Sequence, residues 1–75
     1  MSLMLTAYLL EKYGPRLGME EVAEVLRISK GNLTNRLYRG EITLPTYLDG
    51  GRRFCAAEDL AAYLGRLRET ARAEG

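Results

Sequence analysis

Between Ser29 and Gly40 the chain sets Lys30, Gly31, Asn32, Thr34, Asn35, Arg36 and Arg39 around two large aliphatic residues, Leu33 and Leu37. At helical spacing Leu33 and Leu37 define a buried side. The opposite side holds Gly31, Asn32, Asn35, Tyr38 and Arg39, flanked by Thr34 and Arg36. These residue types suit the reading of base edges. An Asn amide matches adenine N6 and N7, an Arg fork matches guanine O6 and N7, and Lys30 at the helix start reaches a phosphate or a base edge. Gly31 lowers helix propensity by roughly 1 kcal/mol against Ala; it either lets the backbone approach a duplex closely or fits a crowded turn. A basic pair, Arg52-Arg53, leaves the turn Asp49-Gly50-Gly51. It either meets the backbone or minor groove of the same duplex or is ordinary exposed turn charge.

Catalytic chemistry finds little to work with. The chain has no histidine and a single cysteine, Cys55. Glu20, Glu21 and Glu24 cluster near the start of a predicted helix, where acid complements the positive end of the macrodipole, so they read as structural. No enzymatic activity, cofactor or metal is expected. The formal net charge of +1 conceals a polarised distribution, with six basic against two acidic residues from Arg27 to Arg53 and an excess of acid on both sides. A basic middle flanked by acidic scaffold neutralises phosphates in a way the whole-chain charge would not; the alternative is a solvated face that serves solubility.

The elements that position these residues follow from periodicity. Leu5, Tyr8, Leu9 and Tyr13 predict an amphipathic helix stopped by Gly14-Pro15, with a loop from Gly14 to Gly18. Val22, Ala23 and Leu26 face inward on a second helix. Ser29 caps the third, Ile28 staples against Leu33, and that helix is predicted to run to Gly40. Leu44 to Leu48 and Arg52 to Ala56 flank Asp49-Gly50-Gly51 as a short hairpin, with Pro45 on its edge and Phe54 as its anchor. The last helix is predicted from near Ala57 to about Ala73, with Leu60, Leu64, Leu67 and Ala71 on one face, read as core in preference to a dimer seam.

Seventy-five residues, 47% hydrophobic and 28% charged, bound the chain to one globular domain, here residues 1–75. The longest apolar run falls far short of the ~20 residues of a membrane span. The start, MSLMLTAYLL, lacks the features of a secretory signal, and Cys55 has no intramolecular disulfide partner, so a cytoplasmic location is expected. Neither end, Met1 to Leu3 or Glu74-Gly75, is given functional weight.

From Met19 to Leu67, about two thirds of the chain, the order of elements resembles the small winged helix-turn-helix group of phage excisionases, AlpA-like regulators and the MerR-type DNA-binding head. The resemblance rests on Glu21-Val22-Ala23, Ile28-Ser29, Leu33, the Arg39-Gly40-Glu41 corner, and Asp59-Leu60 followed by Tyr63-Leu64. Over nearly its full length the chain also resembles the pyocin-activator proteins, through the apolar Thr-Ala-aromatic-Leu-Leu segment Thr6 to Leu10 and the Leu44-Pro45 step. Both resemblances imply duplex DNA binding, with Lys30, Gly31, Asn32, Asn35 and Arg36 on the DNA and Arg52 and Arg53 at the wing. Two departures stand out. Arg27 occupies a turn position where such motifs often have Gly, and Ala56 and Ala57 stand where the last helix would be better served by a capping side chain.

The expectation is therefore a mainly α domain with a small β-hairpin wing, a winged helix-turn-helix binding specific duplex DNA. It would act as a transcriptional regulator, an activator of phage-like or mobile-element genes. The alternative is an excisionase, an architectural binder directing recombination. A third class, a protein-interaction module, would use Tyr8, Tyr13, Tyr38, Tyr47 and Tyr63 without DNA. A single copy offers a small interface, so a homodimer or side-by-side assembly on DNA is expected, with RNA polymerase or a recombinase as protein partner.

Overall fold

Leu9, placed one helical turn after Leu5, is fully buried and fixes the first helix, α1 (Leu3–Tyr13), against the rest of the chain. The computed structural model describes residues 3–74; Met1, Ser2 and Gly75 lie outside them. α1 ends where Gly14 takes φ +93° and its N–H donates to the Leu10 carbonyl at 2.9 Å. The Tyr13 hydroxyl donates to Glu24 Oε1 at 2.7 Å, which ties α1 to the second helix and pushes the Tyr13 pKa up.

The segment read as a loop contains a strand. β1 (Arg16–Gly18) pairs antiparallel with β3 (Arg52–Ala56), Leu17 opposite Cys55 and Gly18 opposite Phe54. Both Leu17 and Cys55 are fully buried, and this non-local burial holds a strand too short to show an alternating pattern of its own. β2 (Tyr47–Asp49) pairs along the other side of β3, giving a three-stranded antiparallel sheet in the order β1-β3-β2 in place of an isolated hairpin. The predicted strand from Leu44 shrinks to three residues. Pro45 cannot donate to a ladder, and Ile42 and Leu44 turn into the core ahead of it. Gly50 and Gly51 carry φ of 61° and 81° between β2 and β3, as a two-residue turn of the I′ kind requires.

Phe54 anchors the sheet differently from expectation. The buried residue of β3 is Cys55, and Phe54 lies on the outer face beneath the Arg16 guanidinium, 3.9 Å from its ring centroid. Arg16 reaches across that ring from β1 to Asp49 on β2, with Nη1 to Oδ2 at 2.6 Å, strapping the three strands together and pushing the Arg16 pKa up through that hydrogen bond.

α2 (Met19–Leu26) starts directly after β1, with Glu21 Oε1 accepting from the Gly18 N–H at 2.9 Å. α3 (Lys30–Tyr38) follows after a tight turn and is capped by Ser29, whose Oγ accepts from the Asn32 N–H at 3.0 Å. Its helical run stops at Tyr38, short of the predicted Gly40, because Arg39 is the cap and Gly40 takes φ +76°. α4 (Ala57–Glu74) closes the domain. Leu60 and Ala61 are buried and Tyr63 and Leu64 half-buried, but Leu67 is 48% exposed and Ala71 lies in the fully solvated end. Only the first half of the predicted stripe on α4 is core.

Leu9, Leu17, Val22, Leu33, Cys55 and Leu60 are the large side chains fully buried at the centre, contributed by α1, β1, α2, α3, β3 and α4 in turn. At roughly 1.5–3 kcal/mol for each buried aliphatic side chain, these contacts hold α2 against the sheet and α3 against α2. No helix among the described residues is long and apolar enough to cross a membrane.

Candidate nucleic-acid interface

α3 divides into three strips. Leu33 is fully buried and Leu37 half-buried against the core. Lys30, Thr34 and Tyr38, spaced one turn apart, border cavities shared with the β2–β3 turn and the segment before it. The remaining strip, Gly31, Asn32, Asn35, Arg36 and Arg39, faces solvent.

That outer strip is chemically unoccupied where it matters most. Among the described residues the side chains of Asn32, Asn35 and Arg36 hold no hydrogen bond or ion pair, so their donors and acceptors are available to a partner. A Cβ on Gly31 would meet nothing within 4 Å, so crowding inside the protein does not account for this glycine. Of the two sequence readings of Gly31, the crowded turn is excluded.

The flanking residues are already engaged. The Thr34 hydroxyl donates to the Lys30 carbonyl at 2.9 Å within the helix. Arg39 Nε lies 3.0 Å from Glu41 Oε2 in an exposed ion pair just past the helix end. Lys30 Nζ is 4.0 Å from Glu20 Oε1, at the outer limit of such a pair, with both side chains exposed.

Arg52 and Arg53 diverge because successive residues of a strand point to opposite faces. Arg53 turns toward α3: its Nη1 donates to Thr46 Oγ1 at 2.8 Å, and it lines a groove of about 480 Å3 with Thr34, Leu37 and Tyr38. Arg52 shares the outer face of the sheet with Phe54, its guanidinium 5.7 Å from the ring centroid. Both arginines, with Gly51, Met19, Glu20 and Lys30, line a second crevice of about 220 Å3 where the turn meets the starts of α2 and α3. Sequence reasoning missed Glu20 and Thr46 as neighbours of the basic residues. No spacing signal could have found them, since each contact spans separate elements.

Cys55 is no part of this surface. Burial, with a smaller effect of Asp59, pushes its thiol up to about 11. Among the described residues no group of three or more His, Cys, Asp or Glu side chains is placed to hold a metal ion. No protein-family model, curated protein or solved structure matches this chain.

Proposed function

We propose that this protein is a winged helix-turn-helix protein that binds specific duplex DNA and acts as a transcriptional regulator, an activator of phage-like or mobile-element genes. α3 enters the major groove with Asn32, Asn35 and Arg36 toward base edges, and the Gly50-Gly51 turn brings Arg52 and Arg53 to the backbone or minor groove. The observation that carries the reading is the outer strip of α3, where two asparagines and an arginine stand exposed and without intramolecular partners on the side opposite Leu33. Lys30, Arg52 and Arg53 extend its positive edge toward the sheet. The regulatory role rests on the resemblance to pyocin activators. It is a binding function with no catalytic step, exercised by a homodimer or by copies set side by side on DNA, with RNA polymerase as the protein partner.

Titration of a labelled random-sequence duplex at several salt concentrations tests the reading. Affinity should fall steeply as salt rises, because counterions displaced from the phosphates drive binding. Absence of binding at low salt would overturn it.

A further inference from the structure

Lys30 on α3 and Arg52 and Arg53 on β3 come from two separate elements and border one crevice, together with a single acidic residue, Glu20. Three basic residues border the crevice against one acid, and Glu20 offsets only part of their charge, standing 4.0 Å from Lys30 with both side chains exposed. The other nearby acid, Glu21, is engaged by the Gly18 N–H. Arg52 is held close to the start of α2, where a Cβ on Gly18 would meet its Nη2 at 3.6 Å, and Arg53 is oriented by Thr46. At about 220 Å3 the crevice admits a phosphodiester group with its first waters.

We infer that this crevice seats one backbone phosphate of the bound duplex, held jointly by Lys30 and Arg53 with Arg52 at its rim, and that Glu20 acts as a gate which competes with that phosphate for Lys30. The inference rests on the DNA-binding reading above and deepens it. α3 and the β2–β3 turn then grip the same point on one strand, so the phosphate sets the angle at which Asn32 and Asn35 meet the bases. Glu20 is a positioning residue that lowers affinity for every duplex by the same factor and leaves the discrimination between sites to the base contacts of α3.

A methylphosphonate scan of a bound duplex, read by fluorescence anisotropy with the wild type, Lys30→Ala, Arg53→Ala and Glu20→Gln, tests this. Neutralising one phosphate should weaken the wild type, and Lys30→Ala and Arg53→Ala should both lose their further effect at that same phosphate. Glu20→Gln should tighten binding to the unmodified duplex by about two- to fivefold and leave binding to the neutralised duplex unchanged. Lys30 and Arg53 responding at different phosphates would overturn the shared seat, and an unchanged affinity of a folded Glu20→Gln variant would overturn the gate. Failure of the wild type to bind any duplex would overturn the DNA reading and the crevice with it, which separates the two failures.

Discussion

Arg27 and Gly40 occupy the same place in two copies of one helix-ending motif. At the end of α2, Arg27 takes φ +61°, its N–H donates to the Glu24 carbonyl at 3.1 Å, and the next N–H, of Ile28, reaches back to Ala23 at 3.0 Å. At the end of α3, Gly40 takes φ +76°, donates to Leu37 at 3.1 Å, and Glu41 reaches back to Arg36 at 2.8 Å. This is the Schellman pattern, in which the left-handed residue is usually Gly. The chain thus holds a side-chain-bearing residue in a strained conformation at the turn that sets the angle between α2 and α3.

Arg27→Gly should therefore stabilise the fold by about 0.5–1 kcal/mol, the relief of left-handed strain exceeding the added freedom of the unfolded chain. Gly40→Ala should destabilise by about 1 kcal/mol for the converse reason. Urea denaturation of both variants checks the pair, and a lower midpoint for Arg27→Gly would show that the Arg27 side chain contributes more than its backbone strain removes.

Leu33→Ala should cost about 2–5 kcal/mol, because Leu33 is fully buried where α3 meets the core. In a domain of this size that is most of the available stability. Asn35→Ala, on the exposed strip of the same helix, should change stability by less than about 0.5 kcal/mol. Thermal melts followed by circular dichroism distinguish the two faces.

Asn35 and Arg53 should differ in what they do to DNA binding. Asn35→Ala should remove about 1–3 kcal/mol on a preferred site and little on random sequence, since it reads a base edge. Arg53→Ala should weaken both duplexes alike and reduce the salt slope by roughly one phosphate. Equal losses on both duplexes for Asn35→Ala would remove it from base readout.

Cys55 should be inert in the native state. With its thiol pushed up to about 11, only about a thousandth is thiolate at pH 8, and the sulfur is buried besides. The folded protein holds this proton more tightly than the unfolded chain, so the contribution is intact below the unfolded thiol pKa of about 8.5 and is lost as pH rises toward 11. A disulfide reagent at pH 8 should label Cys55 only as fast as the domain opens, with stability declining above pH 9. Labelling at the rate of a free thiol would contradict this.

Much of the α2–turn–α3 unit was legible because local chemistry specifies it: Val22, Ala23 and Leu33 at buried spacing, Ser29 at the cap, and a Gly at the exit. β1 was not legible, since Arg16-Leu17-Gly18 is too short for a pattern and its partner is distant in sequence. The anchor of β3 was misread for a related reason: in a five-residue strand, Phe54 and Cys55 both qualify as apolar, and only packing against the helices decides which turns inward. Within the candidate site, the face of α3 follows from its sequence, whereas the meeting of Lys30 and Glu20 with the β2–β3 turn is a product of tertiary placement.

Selection of bound duplexes from a random DNA pool, performed with the wild type and with the Asn32→Ala/Asn35→Ala double variant, asks whether α3 reads bases. The wild type should enrich a recurring sequence motif that the double variant no longer enriches, with repeat spacing that reports how copies assemble. Enrichment of the same motif by both proteins, or no motif from either, would contradict base recognition by α3.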